Sequence, residues 1–75
     1  MTRNRQSAKQ AGDINDTHLG NQFRHQAAPY GDPNEANGEL IWYRHDKDGT
    51  VTIELEDDDS LHELNLHPNN TLEAL

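Results

Sequence analysis

The sequence predicts an all-β fold, and three observations carry that expectation. Residues 38–57, GELIWYRHDKDGTVTIELED, form two alternating runs separated by Asp48-Gly49. Residues 61–66, LHELNL, alternate again after an Asp57-Asp58-Asp59-Ser60 turn. Residues 71–75 then supply a short closing strand beyond the break at His67-Pro68-Asn69-Asn70. With a first strand over residues 18–25, that makes about five short strands around a central hairpin. Such spacing matches a small SH3-like barrel, which closes its edges within about 60 residues. A three-stranded meander completed in a dimer is the alternative.

The hairpin dictates its own register. Asp-Gly between alternating runs is the strongest short-range hairpin signal, because glycine takes a positive φ without steric cost. A type I turn through Lys47 and Asp48, with Gly49 left-handed in a bulge, sets Asp46 against Thr50 and His45 against Val51. Tyr43 then faces Ile53, and Ile41 faces Leu55. Alternation places Ile41, Tyr43, His45, Val51, Ile53 and Leu55 on the core face. Leu40, Trp42, Arg44, Thr52, Glu54 and Glu56 fall on the other. A slip by one residue would bury Glu54 and Glu56, which is too costly to occur.

The remaining segments follow in order. Residues 1–12 are polar, without apolar periodicity, and read as a disordered basic tail ahead of a domain over 13–75. Asp13 to Thr17 holds good capping residues for a turn of helix. His18 to His25 reads as the first strand, with Phe23 inward. Residues 26–37 contain Pro29, Pro33 and several turn formers and read as a loop, long for so small a domain.

Composition narrows the function. The 75 residues suffice for one domain, and a 31% hydrophobic share with mean hydropathy −1.13 predicts a modest core. There is no cysteine, hence no disulfide or thiolate metal site. No apolar run approaches the ~18 residues of a membrane span, and the N-terminus lacks a signal-peptide core. A cytoplasmic protein without membrane attachment is expected. Arg3, Arg5 and Lys9 give residues 1–12 a charge of +3. All 14 acids, against Arg24, Arg44 and Lys47, leave −11 on the rest and −8 on the chain. So acidic a body repels nucleic acid and argues against direct DNA or RNA binding.

Asp13, Thr17-His18-Leu19-Gly20, Gly38-Glu39-Leu40, Arg44-His45, the Val51-Thr52-Ile53 strand, Leu64-x-Leu66-x-Pro68 and Thr71-x-Glu73 together resemble small uncharacterised phage or prophage proteins. The resemblance covers residues 13–75 and departs in the 26–37 loop and the acidic run. It implies a compact β-barrel, a phage setting and no assigned reaction.

Chemistry-bearing clusters are few. His18, His25, His45, His62 and His67 are scattered. The closest pair, His62 and His67, is five apart in an extended region, so the rings point opposite ways and no metal is expected. Asp46-Lys47-Asp48-Gly49 has its glycine fourth, where a calcium loop needs it sixth. Glu54, Glu56, Asp57, Asp58, Asp59 and Glu63 concentrate charge at a solvated strand end, without the enclosure that separates the pKa values of a catalytic pair. No nucleophile triad or phosphate-cradling glycine loop is present. The expectation is a non-enzymatic interaction module without cofactor. It binds a basic protein partner through Glu54, Glu56, Asp57, Asp58 and Asp59, with Trp42, Tyr30 and Arg44 as further contacts. A structural or self-assembling minor virion component is the alternative.

Overall fold

The computed structural model describes residues 8–75. Six strands form one antiparallel sheet: β1 Ala8–Gln10, β2 Gln22–His25, β3 Ala36–His45, β4 Val51–Asp57, β5 Ser60–Leu66 and β6 Thr71–Ala74. Their order across the sheet is β1-β6-β2-β3-β4-β5. Two 3-10 turns, Ala11–Asp13 and Asp16–His18, lie between β1 and β2.

The hairpin turn forms as its residues dictate. The Asp46 amide donates to the Thr50 carbonyl at 2.8 Å, the Gly49 amide to the Asp46 carbonyl at 3.0 Å, and Gly49 has φ +94°. His45 faces Val51 and Tyr43 faces Ile53, as the alternation requires.

Further from the turn the expected register fails. Leu40, not Ile41, faces Leu55, because Ile41 is an extra residue bulged out between Leu40 and Trp42. The bulge switches faces. Leu40 is fully buried while Ile41 is 39% exposed, so the two residues exchange the places that strict alternation gives them. Strict alternation would send Leu40 to solvent, and the bulge lets both Leu40 and the hairpin half of β3 keep their apolar contacts. Gly38 allows the sheet to close up near this point. A Cβ there would lie 2.3 Å from the Glu56 carbonyl oxygen.

The core comprises Phe23 from β2, Leu40 from β3, Val51, Ile53 and Leu55 from β4, Leu64 and Leu66 from β5, and Leu72 from β6, with Ala11, Ile14 and Ala36. Residues of strands as far apart as β6 and β5 share this cluster, so the sheet curls around it. The segment between β1 and β2 lies over the inner face. Ile14 is buried, its carbonyl accepts from His45 Nε2 at 2.8 Å, and Asp16 accepts from the Tyr43 hydroxyl at 2.6 Å. That bond, more than desolvation and the nearby charge, raises the Tyr43 pKa above its ordinary value.

The barrel expected from five strands does not close. β6 is paired on both sides, by β2 and by β1, so it has no free edge for β5. β1 comes from the segment 1–12 read as a disordered tail: Ala8–Gln10 pair with Thr71, Leu72 and Glu73, Ala11 and Gly12 enter the first 3-10 turn, and residues 1–7 lie outside the described residues. Pairing continues past β1 as the Ala11 and Gly12 amides donate to the Asn70 and Pro68 carbonyls. The strand expected over 18–25 is shorter, β2 starting only at Gln22 after turns over residues 16–20, and β3 begins two residues earlier than expected, at Ala36.

Candidate functional site

The outer face of β3, β4 and β5 gathers most of the residues that the charge pattern singles out. Its rows follow from the register: Arg44–Thr52–Asn65, Trp42–Glu54–Glu63 and Glu39–Glu56–Leu61. The Asn65 amide donates to Asp32 Oδ2 at 2.9 Å, so it points away from Thr52, its opposite on β4. Alternation then makes Thr52–Asn65, Glu54–Glu63 and Glu56–Leu61 the narrow, non-hydrogen-bonded pairs, whose side chains stand closest. Two acid pairs, Glu54–Glu63 and Glu39–Glu56, are thus directly opposed. Among the described residues the ion pairs are Arg24–Glu73 and Arg44–Asp46, and neither relieves them.

Trp42 stands in the middle row, 40% exposed, with Ile41 beside it on the bulge and Leu61 on β5, 59% exposed. The Arg44 guanidinium lies 5.5 Å from the Trp42 ring centroid, a cation–π distance. Arg44 is held there by Nε donating to Asp46 Oδ1 at 2.5 Å.

Asp46 ties the hairpin end together. Its Oδ2 accepts from Thr52 Oγ1 at 2.7 Å and Thr50 Oγ1 at 3.0 Å, while Asp48 Oδ1 accepts from the Thr50 amide at 3.0 Å. These bonds lower both carboxyl pKa values, Asp46 chiefly through Thr52 and then Arg44, Asp48 chiefly through Thr50. Thr52 is buried although it lies on the outer face, because this network covers it.

Asp58 and Asp59 form the turn at the β4–β5 end of the sheet, with Asp58 at φ +50°, whereas Asp57, opposite Ser60, alternates onto the side of Leu55 and away from Glu54 and Glu56. Tyr30 belongs elsewhere. Its ring packs edge-on against His67 at 4.9 Å, and its hydroxyl donates to the Asn69 carbonyl at 3.5 Å. There it lines a cleft of about 350 Å³ with Arg24, Asn69, Asn70 and Glu73. Of the expected contacts, the fold therefore brings together Trp42, Arg44, Glu54 and Glu56 on one face, leaves Asp58 and Asp59 in the adjoining turn, turns Asp57 to the other side, and sets Tyr30 against a different loop. It adds Ile41, Leu61 and Glu63. The LHELNL alternation already carried the signal for Leu61 and Glu63, whereas Ile41 depends on a bulge that alternation hides.

Four of the five histidines, His18, His25, His45 and His67, hydrogen-bond to backbone groups of their own chain. His25 is fully buried, its Nδ1 donating to the Asn34 carbonyl at 2.7 Å and its Nε2 without a hydrogen-bond partner among the described residues. His18 and His67 each accept an amide through Nδ1, from Asn15 and Asn69. Among the described residues no three His, Cys, Asp or Glu side chains converge as a metal site, and no helix is long and apolar enough to cross a membrane.

No family model matches the chain, and neither a curated protein nor a solved structure matches it.

Proposed function

We propose that this chain is a non-enzymatic docking module that binds a basic protein partner on the outer face of β3, β4 and β5. The observation that carries the reading is the opposed acid pairs Glu54–Glu63 and Glu39–Glu56, set beside exposed Trp42, Ile41 and Leu61. Like charges directly opposite across a sheet weaken it. Basic side chains of a partner relieve that repulsion, and the apolar residues supply the desolvated centre that interfaces need. The acids also steer encounter, so binding should be fast and salt-sensitive. The same −11 body disfavours nucleic acid. The setting we propose, on the resemblance above, is a phage or prophage accessory protein acting in the host cytoplasm.

Trp42 is the only tryptophan, so its fluorescence reports directly on this face. Titration with a lysine-rich peptide should shift its emission, and added salt should reverse the shift. Capture of partners on immobilised protein should fail for Trp42→Ala and for the triple change Asp57→Asn, Asp58→Asn, Asp59→Asn. An unchanged emission, together with an unchanged set of captured proteins, refutes the surface. Sedimentation addresses the other role: self-assembly with rising concentration would favour a minor virion component.

A further inference from the structure

Among the described residues β5 is an edge strand of seven residues, paired only with β4. Its outward amides can be identified. Asn65 donates outward to Asp32, and alternation along the unbroken β4–β5 register turns the amides of Glu63 and Leu61 the same way. Beyond Asn65 the edge is occupied, since the His67 amide donates to Asn70 Oδ1 at 2.9 Å. The free part therefore runs from Leu61 to Glu63, and both of these side chains stand exposed on the acidic outer face.

We infer that this edge takes an extended basic segment of a partner protein as a seventh, antiparallel strand. The proposal rests on the basic-partner reading above and adds its mode of binding: main-chain pairing at Leu61 and Glu63, with side-chain selection on the outer face. A residue opposite Glu63 extends the row Trp42–Glu54–Glu63 and should be Lys or Arg. The residue two further along the incoming strand falls opposite Leu61 and should be apolar. Asp32 stops the added strand at Asn65 and so sets its register. Charge selects the occupant. A second copy would bring another chain of net charge −8 against the same edge, whereas a basic strand neutralises it. The opposite edge, β1, is only three residues long.

The probe is a fluorescein-labelled peptide, Thr-Lys-Thr-Ile-Thr-Lys, titrated with the full chain at low ionic strength. Its control carries N-methyl groups on the first lysine and the isoleucine, which keep every charge but remove the two amides that would bond to β5. Methylation should weaken binding by about ten-fold or more, and the unmethylated peptide should slow hydrogen exchange at the Leu61 and Glu63 amides. Leu61→Pro removes an outward amide that β4 does not use, and should bring the unmethylated peptide down to the affinity of the control. Equal affinity of the two peptides for the unaltered chain overturns edge pairing while leaving the acidic-face reading standing. Failure of both peptides to bind overturns both. A dimer of the chain alone that Leu61→Pro abolishes assigns the edge to a second copy and overturns the peptide proposal.

Discussion

Replacing Glu63 with lysine should strengthen the fold and weaken partner binding, a combination that a merely solvated acidic edge does not produce. Glu63 and Glu54 form a narrow antiparallel pair on the outer face, where Cα atoms lie about 4.5 Å apart. An opposed like-charged pair destabilises, and an opposite-charged one stabilises, by roughly 0.2–1 kcal/mol each, so the reversal is worth about 0.4–2 kcal/mol. Coulomb's law agrees: two unit charges ~6 Å apart in water interact by about 0.7 kcal/mol. With a urea m-value near ~1 kcal/mol/M for so small a domain, the unfolding midpoint should rise by about 0.4–2 M. Screening supplies the control, because a Debye length of about 10 Å at 0.1 M shortens to ~3 Å at 1 M and should remove most of the gain. Glu63→Gln should give about half the effect by the same reasoning. A midpoint that stays or falls at low salt refutes the opposed-pair geometry. A gain unchanged at 1 M salt refutes its electrostatic origin.

Three further outcomes test the architecture. Gly38→Ala should destabilise by about 2–3 kcal/mol, read as a lower urea midpoint, because its Cβ would meet backbone atoms of Glu56 at 2.3, 2.7 and 3.1 Å and would have to part β3 from β4. Asp58→Gly should stabilise by about 0.5 kcal/mol, or roughly 2–4 °C in Tm by calorimetry, by releasing a side chain held at positive φ. Asp46 has a folded pKa below its unfolded one, so its contribution is complete above the unfolded value of about 4 and is lost as pH falls through the folded value. Asp46→Asn should therefore lower stability at neutral pH, and urea midpoints of variant and parent should converge as pH drops below about 4.

The hairpin was readable because its signals are local. Asp48-Gly49 and the flanking alternation determine the turn and the pairs nearest it, and the LHELNL alternation likewise determines β5. What could not be read depends on distant partners. Ile41 and Leu40 are both apolar, so nothing in the local pattern marks a bulge, and the choice between them is made by packing against Leu55. Residues 8–10, Ala-Lys-Gln, have no strand propensity to speak of and become β1 only because the edge of β6 offers them hydrogen bonds. The acidic face was partly readable for the same reason as β5. Acids on alternate positions must share a face once the pairing is known, whereas Tyr30 sits in a loop whose path no alternation describes, and its place against His67 had no local cue.

The unread strand and the proposed binding edge are connected. A five-stranded closure would pair β5 with β6, consuming the outward amides of Leu61 and Glu63 inside the chain. β1 takes that side of β6 instead, which among the described residues leaves β5 open next to Glu54, Glu56 and Glu63. An open edge ordinarily invites association between copies, and natural sheets guard against it with charge. Here the guarding charge is all of one sign, so it repels a second copy and attracts a basic strand. On the proposed mode of binding, the same carboxylates that oppose each other across β4 and β5 select the chain that completes the sheet, and this is why fold stability and partner binding should move in opposite directions when Glu63 is reversed.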